Sequence, residues 1–154
     1  MAFCILKMEN LKRVITEIRP GRKLNSNRSN IYLNGRYAFS LDNEVISRES
    51  LKTGLEISEE LEAILTKSDA LQKCYNASLR FLSYRPRSES EIRTKLTGKG
   101  YSQEDVNNTI ERLKSLNLLN DNQFAEFWKE NRDNFKPVSR QMLKKELRLK
   151  GVDK

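Results

Sequence analysis

The chain has 154 residues and a formal net charge of +8, with 29 Lys and Arg against 21 Asp and Glu. It contains no His, which excludes Ser-His-Asp and Cys-His catalysis and removes the commonest metal ligand. Cys4 and Cys74 stand apart and provide neither a disulfide framework nor a zinc site, so we expect both to be unreactive thiols.

The first part of the chain, residues 1–67, predicts a small α+β module. A strand is indicated at Lys12–Arg19, and Pro20-Gly21 ends it. The residues that alternate with charge along this strand are Val14, Thr16 and Ile18. Val45–Lys52 is weakly helical or extended, and Ser58 caps a short helix. The apolar residues of this short helix are Leu61, Ile64 and Leu65.

A β-hairpin is predicted within the module, around Asn34-Gly35. This dipeptide favours a two-residue type I′ turn, which pairs Tyr32 with Tyr37. The hydrophobic pattern instead favours a three-residue loop, which aligns Ile31 with Phe39. The sequence leaves these two registers open.

Residues 68–118 predict a unit of three helices. The first helix ends just before Pro86, because proline bars its continuation. The second helix begins at the capping box Ser88-Glu89-Ser90-Glu91 and ends at Gly98 or Gly100. The third helix begins at Ser102, with Asp105 in its first turn. The predicted core positions are Leu71, Tyr75, Ser78, Leu79, Leu82, Ile92, Leu96, Val106, Ile110 and Leu113, with Leu116 as a further candidate.

Residues 119–154 begin the same pattern again but lack a third helix. Lys136-Pro137-Val138-Ser139 follows Arg85-Pro86-Arg87-Ser88 by 51 residues, and Lys150-Gly151-Val152 follows Lys99-Gly100-Tyr101 at the same spacing. The predicted core residues are Phe124, Phe127, Trp128, Met142, Leu143 and Leu147, whereas Tyr84 and Tyr101 are expected at the surface. The apolar residues that a third helix would cover indicate either a truncated chain or a partner. The sequence therefore predicts a mainly α fold of tandem three-helix repeats, preceded by the α+β module.

The basic charge is concentrated on the predicted helices. Residues 71–154 hold 18 Lys and Arg against 11 Asp and Glu, whereas residues 1–70 hold 11 against 10. A solvated helix face explains part of such an excess. Concentrated basic charge otherwise indicates a polyanionic partner, such as nucleic acid or a nucleoprotein complex.

Several classes of protein are disfavoured by what the sequence lacks. The acidic residues are scattered singly through helices and are not clustered as in a metal-dependent nuclease. Gly98 and Gly100 follow a helix, whereas nucleotide-binding loops follow a strand. No apolar run approaches the roughly 20 residues of a membrane span, and Met1–Leu11 is too short and poorly formed for a signal peptide. We therefore expect a cytoplasmic protein without enzymatic activity, cofactor or membrane contact.

A series of motifs lies between residues 71 and 152. The motifs are Ala77, Phe81-Leu82-Ser83-Tyr84-Arg85-Pro86-Arg87-Ser88, Ser90-Glu91-Ile92, Lys95-Leu96, Lys99-Gly100-Tyr101, Val106, Ile110, Leu113, Leu118-Leu119-Asn120-Asp121, Phe124-Ala125, Glu146-Leu147 and Lys150-Gly151-Val152. In their order and spacing these motifs resemble the RecX family, regulators of the RecA recombinase. The resemblance covers about half of the chain. The Ile31–Ser40 hairpin is also similar to a small N-terminal extension in some members.

The resemblance implies tandem three-helix repeats that lie in the deep groove of the RecA–DNA filament. It implies a role in DNA repair, recombination and the SOS response, through inhibition of strand exchange and ATP hydrolysis or through destabilisation of the filament. Family members usually have three repeats, whereas this sequence stops inside the second. The alternative is a stand-alone DNA-binding module in which a three-helix unit inserts a helix into the major groove. A carboxylate nuclease is a residual third possibility.

The expected contacts with the filament and with single- or double-stranded DNA are basic residues of the two repeats. They are Arg85, Arg87, Arg93, Lys95, Lys99, Arg140, Lys144, Lys145 and Arg148. Arg85 and Arg87 flank a proline before a helix, so bracing of the turn is an alternative role for them. The sequence does not indicate the role of the N-terminal module or the oligomeric state.

Overall fold

The computed structural model describes residues 12–24 and 26–153. Cys4 lies outside these residues, as do all of Met1–Leu11, Asn25 and Lys154. The elements of the described part are β1 Ile15–Pro20, β2 Arg28–Leu33, β3 Arg36–Asp42, α1 Asn43–Arg48, α2 Glu59–Tyr84, α3 Glu89–Gly98, α4 Gln103–Ser115, α5 Asp121–Phe135 and α6 Arg140–Leu149. The prediction of a mainly α fold with an N-terminal α+β module is confirmed.

The hairpin of β2 and β3 contains both of the registers that the sequence left open. Asn34 and Gly35 have φ values of 50° and 78°, as a type I′ turn requires. Tyr32 consequently pairs with Tyr37 next to the turn, whereas farther along the strands Ile31 pairs with Phe39. The shift between the two pairs leaves Ala38 as the extra residue of a β-bulge.

The predicted alternation along β1 is wrong at Ile15 and Thr16, because the strand contains a second bulge. Ile15 pairs with Leu33 and Glu17 pairs with Tyr32, so Thr16 is the extra residue. Ile15 is buried and Thr16 is exposed, which reverses the predicted alternation at these positions. The reason is that a bulge changes the side to which the following residues point. The three strands form one antiparallel sheet in the order β1-β2-β3.

The core of the N-terminal module lies on the inner face of this sheet. Its buried residues are Ile15, Ile31, Leu33, Leu41, Val45, Leu51, Ile57 and Leu65. Asp42 ends β3 and caps α1 by accepting a hydrogen bond from the Glu44 amide at 3.0 Å. The carboxylate of Asp69 accepts from the Asp42 amide at 2.8 Å and from both terminal nitrogens of Arg28 at 3.0 Å. A buried carboxylate of α2 therefore binds the start of β2 and the end of β3, which lie side by side at the end of the hairpin away from the turn.

Helix α2 is one continuous helix, whereas the sequence analysis predicted a short helix after Ser58 and a second helix from Asp69. Glu59–Tyr84 contains neither Pro nor Gly, so nothing in its backbone ends the helix at the change in composition near residue 68. Within the predicted short helix, Leu65 is buried but Ile64 is exposed. Two compact units, Met1–Gln72 and Lys73–Lys154, divide the chain within this helix. The predicted domain limits at 67/68 and 118/119 stay a prediction.

The caps and stops of the second unit agree with the sequence. Ser88 and Glu91 form the predicted capping box, and Ser102 and Ser139 accept hydrogen bonds from the amides three residues later. α3 ends at Gly98, and Gly100 follows with a φ of 87°. The buried core residues are Cys74, Tyr75, Ile92, Leu96, Val106, Ile110, Leu113 and Leu119. Burial raises the pKa of the Cys74 thiol, which keeps this cysteine in its unreactive protonated form.

Three predictions about apolar side chains need correction. Leu116 is exposed, because the helix ends one residue before it and the face of Leu113 no longer continues. Tyr101 packs against the core, and its hydroxyl donates to the Lys73 carbonyl at 3.3 Å. Met142 is about half exposed. Tyr84, by contrast, is exposed as predicted.

The aromatic residues of α5 form part of the packing, as predicted. Phe124 is 1% exposed and stacks on Trp128 with ring centroids 6.0 Å apart. Phe127 and Trp128 are half-buried. Exposed rings are required for stacking on nucleobases, so these residues are suited to packing and not to that role.

Candidate functional site

The nine basic residues singled out by the sequence lie in two places. Five lie on the α2–α3 turn, on α3 or at its end, and four lie on α6. The structure separates them by what holds each side chain. Two are firmly bound to carboxylates inside the unit, and the others present their charge to solvent, to an aromatic ring or, for Arg148, to the exposed Asp153.

Arg85 braces the turn that leads into α3. Its guanidinium donates to the two carboxylate oxygens of Glu91 at 3.1 and 3.0 Å and to the Pro86 carbonyl at 2.8 Å. Such a bidentate pair fixes the side chain in one orientation. The geometry therefore matches the bracing role that the sequence left as an alternative.

Arg93 is also engaged within the unit. Its Nε donates to Glu89 at 2.9 Å, and its Nη1 donates to Asn107 on α4 at 2.6 Å. Lys114 pairs with the same carboxylate from the other side. Burial opposes ionisation of Glu89, but Lys114 and Arg93 outweigh it and lower its pKa. Arg93 consequently joins α3 to α4.

Arg87, Lys95 and Lys99 converge on the ring of Phe81, and we call these four residues the Phe81 cluster. The charged groups of Arg87, Lys95 and Lys99 lie 6.0, 5.2 and 5.1 Å from the ring centroid. Arg87 also donates to the Phe81 carbonyl at 3.0 Å. Burial and the nearby Arg85 lower the pKa of Arg87. None of the three cations forms an ion pair with an acidic residue in the described part of the chain, so the cluster can accept an external anion.

The four basic residues of α6 are exposed, and we call them the α6 face. Arg140, Lys144 and Arg148 follow one another at intervals of four, so they form a row along the helix. Lys145 lies beside this row. Arg148 is 4.0 Å from Asp153, and both of these side chains are mostly exposed, which makes the pair weak.

The opposite edge of α6 is held by a network that the sequence analysis did not identify. Glu146 accepts from Trp128 Nε1 at 2.9 Å and from Arg132 at 2.8 and 3.0 Å. Lys150 Nζ lies 4.5 Å from the Trp128 ring centroid and donates to Glu91 at 2.9 Å. This network engages Glu146, the acidic residue of α6, so the α6 face stays basic.

The start of α3 and the end of α6 are joined at the same point. The Ser88 hydroxyl accepts from the Glu91 amide and donates to the Lys150 carbonyl at 2.6 Å. The capping box was visible in the sequence, but its second partner lies 62 residues away. The only trace of that partner in the sequence is the repeated Lys-Gly pair at positions 150 and 151.

Glu91 should make the stability of the second unit depend on pH. Burial opposes its ionisation, but hydrogen bonds and charge from Arg85 and Lys150 outweigh it and lower its pKa to about 2. A lowered pKa adds stability above the ordinary value near 4.5, and this stability is lost as the pH falls towards 2. We expect Glu91→Gln to cost about 2 kcal/mol at pH 7, after discounting for solvent screening, and much less near pH 3.

Urea unfolding followed by the fluorescence of Trp128, the single tryptophan, measures this difference. Glu111→Gln on the exposed side of α4 is the matched control, since it removes the same charge and Glu111 forms no ion pair within the described part of the chain. A cost of Glu91→Gln that is the same at pH 7 and pH 3 would contradict the assignment.

The described residues contain no group of three or more His, Cys, Asp or Glu that could hold a metal ion. Among the same residues, no helix is both long and apolar enough to cross a membrane.

Two family models match the chain. The "Regulatory protein RecX N-terminal domain" matches residues 13–58, and "RecX, first three-helix domain" matches residues 74–113. Together the two ranges cover more than half of the chain. The first of them includes the hairpin that resembled the N-terminal extension of some members.

Curated relatives agree with these models. The regulatory protein RecX of Oceanobacillus iheyensis is 35% identical over 151 residues, which are 95% of this chain and 54% of the relative. The regulatory protein RecX of Clostridium beijerinckii is 33% identical over 133 residues, which are 86% of this chain and 62% of the relative. The chain thus spans little more than half the length of these relatives.

Solved structures agree as well. A crystal structure of regulatory protein RecX superposes with a TM-score of 0.82 and 29% identity, covering 92% of this chain and 69% of that one. The crystal structure of RecX from Lactobacillus salivarius gives a TM-score of 0.53 and 31% identity over 56% of each chain. On the combined agreement of models, relatives and structures, the chain belongs to the RecX family.

Proposed function

We propose that the chain is a non-enzymatic regulator that binds the groove of the RecA–DNA filament and inhibits ATP hydrolysis and strand exchange. The proposal is supported by membership of a family of regulatory proteins and by the distribution of charge on the second unit. The chain spans only part of the length of its relatives, so inhibition of RecA by this chain alone is itself part of the proposal.

The observation that carries the proposal is that acidic side chains of the second unit are bound by groups of the same unit. Glu89, Glu91 and Glu146 are each bound by two cations or donors of the same unit. The Phe81 cluster and the α6 face are left with basic charge. A surface of this kind suits a groove lined by DNA phosphates and protein.

Within the nine basic residues we assign two roles. Arg85 and Arg93 are held by carboxylates and act as braces of the turn and of the α3–α4 contact. The residues proposed to contact the filament are Arg87, Lys95, Lys99, Arg140, Lys144, Lys145 and Arg148. Binding through such residues weakens steeply with salt, because each neutralised phosphate releases a counterion.

The test is DNA-dependent ATP hydrolysis by RecA with this chain titrated in. We expect inhibition, and we expect Lys144→Gln/Lys145→Gln to weaken it and to lower the salt slope of binding by about one per lysine. The matched control is Lys52→Gln/Lys129→Gln, which changes the net charge equally at exposed positions outside both basic surfaces. Tighter binding to bare duplex DNA than to RecA-coated DNA would favour the stand-alone DNA-binding module instead.

A further inference from the structure

The solvent face of the N-terminal sheet carries a pair of aromatic side chains, one of them exposed. Tyr32 and Tyr37 are cross-strand partners, and their rings meet edge to face with centroids 6.0 Å apart. The guanidinium of Arg19, on the neighbouring strand, lies 5.0 Å from the Tyr32 ring centroid. Tyr37 is 59% exposed, so burial in the core does not account for its position. Most of the Tyr37 surface is therefore accessible to a ligand.

The N-terminal module consists of a basic part and an acidic part. Lys12–Asp42, which contains the sheet, has seven Lys and Arg against two Asp and Glu. The following residues 43–70 have three against seven, so the near-neutral total conceals a basic sheet and an acidic helical part. The two acidic residues of the sheet are engaged, since Glu17 accepts from Arg19 and Asp42 is buried as the cap of α1.

Two cations of the loop between β1 and β2 and one cation of β3 remain without an ion pair in the described part of the chain. They are Arg22, Lys23 and Arg36. Arg36 and Tyr37 line a groove of about 500 Å³, together with Arg13, Leu33, Asn34 and Ala38. Arg36 thus places an unpaired positive charge next to Tyr37 in the chain, at the rim of a groove that Tyr37 also borders.

We infer that this face binds single-stranded nucleic acid, with a base stacked on Tyr37 and the phosphates attracted by the unpaired cations. Aromatic side chains on a basic surface are the usual platform for unpaired bases, because every base has a face that can stack. In a duplex the faces of the bases are already stacked on one another, so an exposed ring favours a single strand. The inference concerns a different unit from the filament contacts and does not depend on them.

The test uses the whole chain and fluorescent 12-nucleotide oligomers, without RecA, at low salt. The oligomers are oligothymidylate and an abasic strand of the same charge, and anisotropy reports binding. We expect the chain to bind oligothymidylate about ten-fold more tightly than the abasic strand. Tyr37→Leu should remove this preference and leave abasic binding unchanged, whereas Tyr37→Phe should retain it.

Tyr84→Leu is the matched control, since Tyr84 is also an exposed tyrosine and lies at the end of α2. Circular dichroism at the assay temperature confirms that the hairpin variants are folded. An oligouridylate arm distinguishes DNA from RNA as the source, and dependence on Tyr37 in either polymer supports the inference. Equal binding of the thymidylate and abasic strands by the unmodified chain, or no effect of Tyr37→Leu on the preference, would overturn it.

Discussion

Replacement of Gly151 by Ala should destabilise the second unit by about 2–4 kcal/mol. Gly151 follows α6 with a φ of 75°, a left-handed conformation that costs a residue with a side chain about 1–2 kcal/mol. An added Cβ would also overlap the Cβ and hydroxyl of Ser90 in the first turn of α3. Overpacking of this kind costs about 1–3 kcal/mol or displaces the end of α6.

Gly100→Ala provides the control for this prediction. Gly100 ends α3 in the same way, with a φ of 87°, but no atom lies within 4 Å of its added Cβ. We expect only the conformational cost of about 1–2 kcal/mol. The measurement is urea unfolding followed by Trp128 fluorescence, since the ring of Trp128 lies against Lys150 next to the substituted position. Equal losses for the two variants would mean that the end of α6 does not pack on α3.

Asp69→Asn should destabilise the N-terminal module by about 2–3 kcal/mol. The Asp69 side chain is only 7% exposed and binds both terminal nitrogens of Arg28 as well as the Asp42 amide. An amide keeps the shape but removes the charge and turns one acceptor into a donor that faces the guanidinium. The loss is below that of a fully buried pair, because Arg28 is 26% exposed.

A double-mutant cycle with Arg28→Gln tests this prediction. We expect the two changes to be strongly non-additive, since the second removes a charge that the first has already left unpaired. Glu17→Gln, which breaks the exposed pair with Arg19, is the control and should leave the urea midpoint of the far-ultraviolet dichroism unchanged within error. Additive losses at positions 28 and 69 would show that their contact contributes no coupling energy.

The sequence predicted the features that depend on a few neighbouring residues. Capping at Ser88, Ser102 and Ser139 needs only the amides of the next turn, and Gly100 supplies a conformation that other residues avoid. The hairpin shows the limit of such reasoning. Its turn favours one register and its apolar residues favour another, and only pairing along the whole strand shows that the bulge at Ala38 accommodates both.

The missed features depend on residues distant in the chain. Lys150 pairs with Glu91 across 59 residues, and no local pattern distinguishes it from the other basic residues near α6. A change of composition near residue 68 was interpreted as a boundary, although the backbone of α2 contains no helix-breaking residue there. For the candidate site, composition located the basic charge, whereas packing determined which cations are engaged by carboxylates.

The double role of the Ser88 hydroxyl couples the unfolding of two helices. In an array whose units contact only their neighbours, helices of different repeats can open independently. Here, release of α6 would leave the Ser88 hydroxyl without its acceptor and would remove Lys150 from Glu91, so the first turn of α3 loses part of its support. Amide hydrogens of α6 and of the start of α3 should therefore exchange in one cooperative opening, in which the end of α6 and the beginning of α3 protect each other.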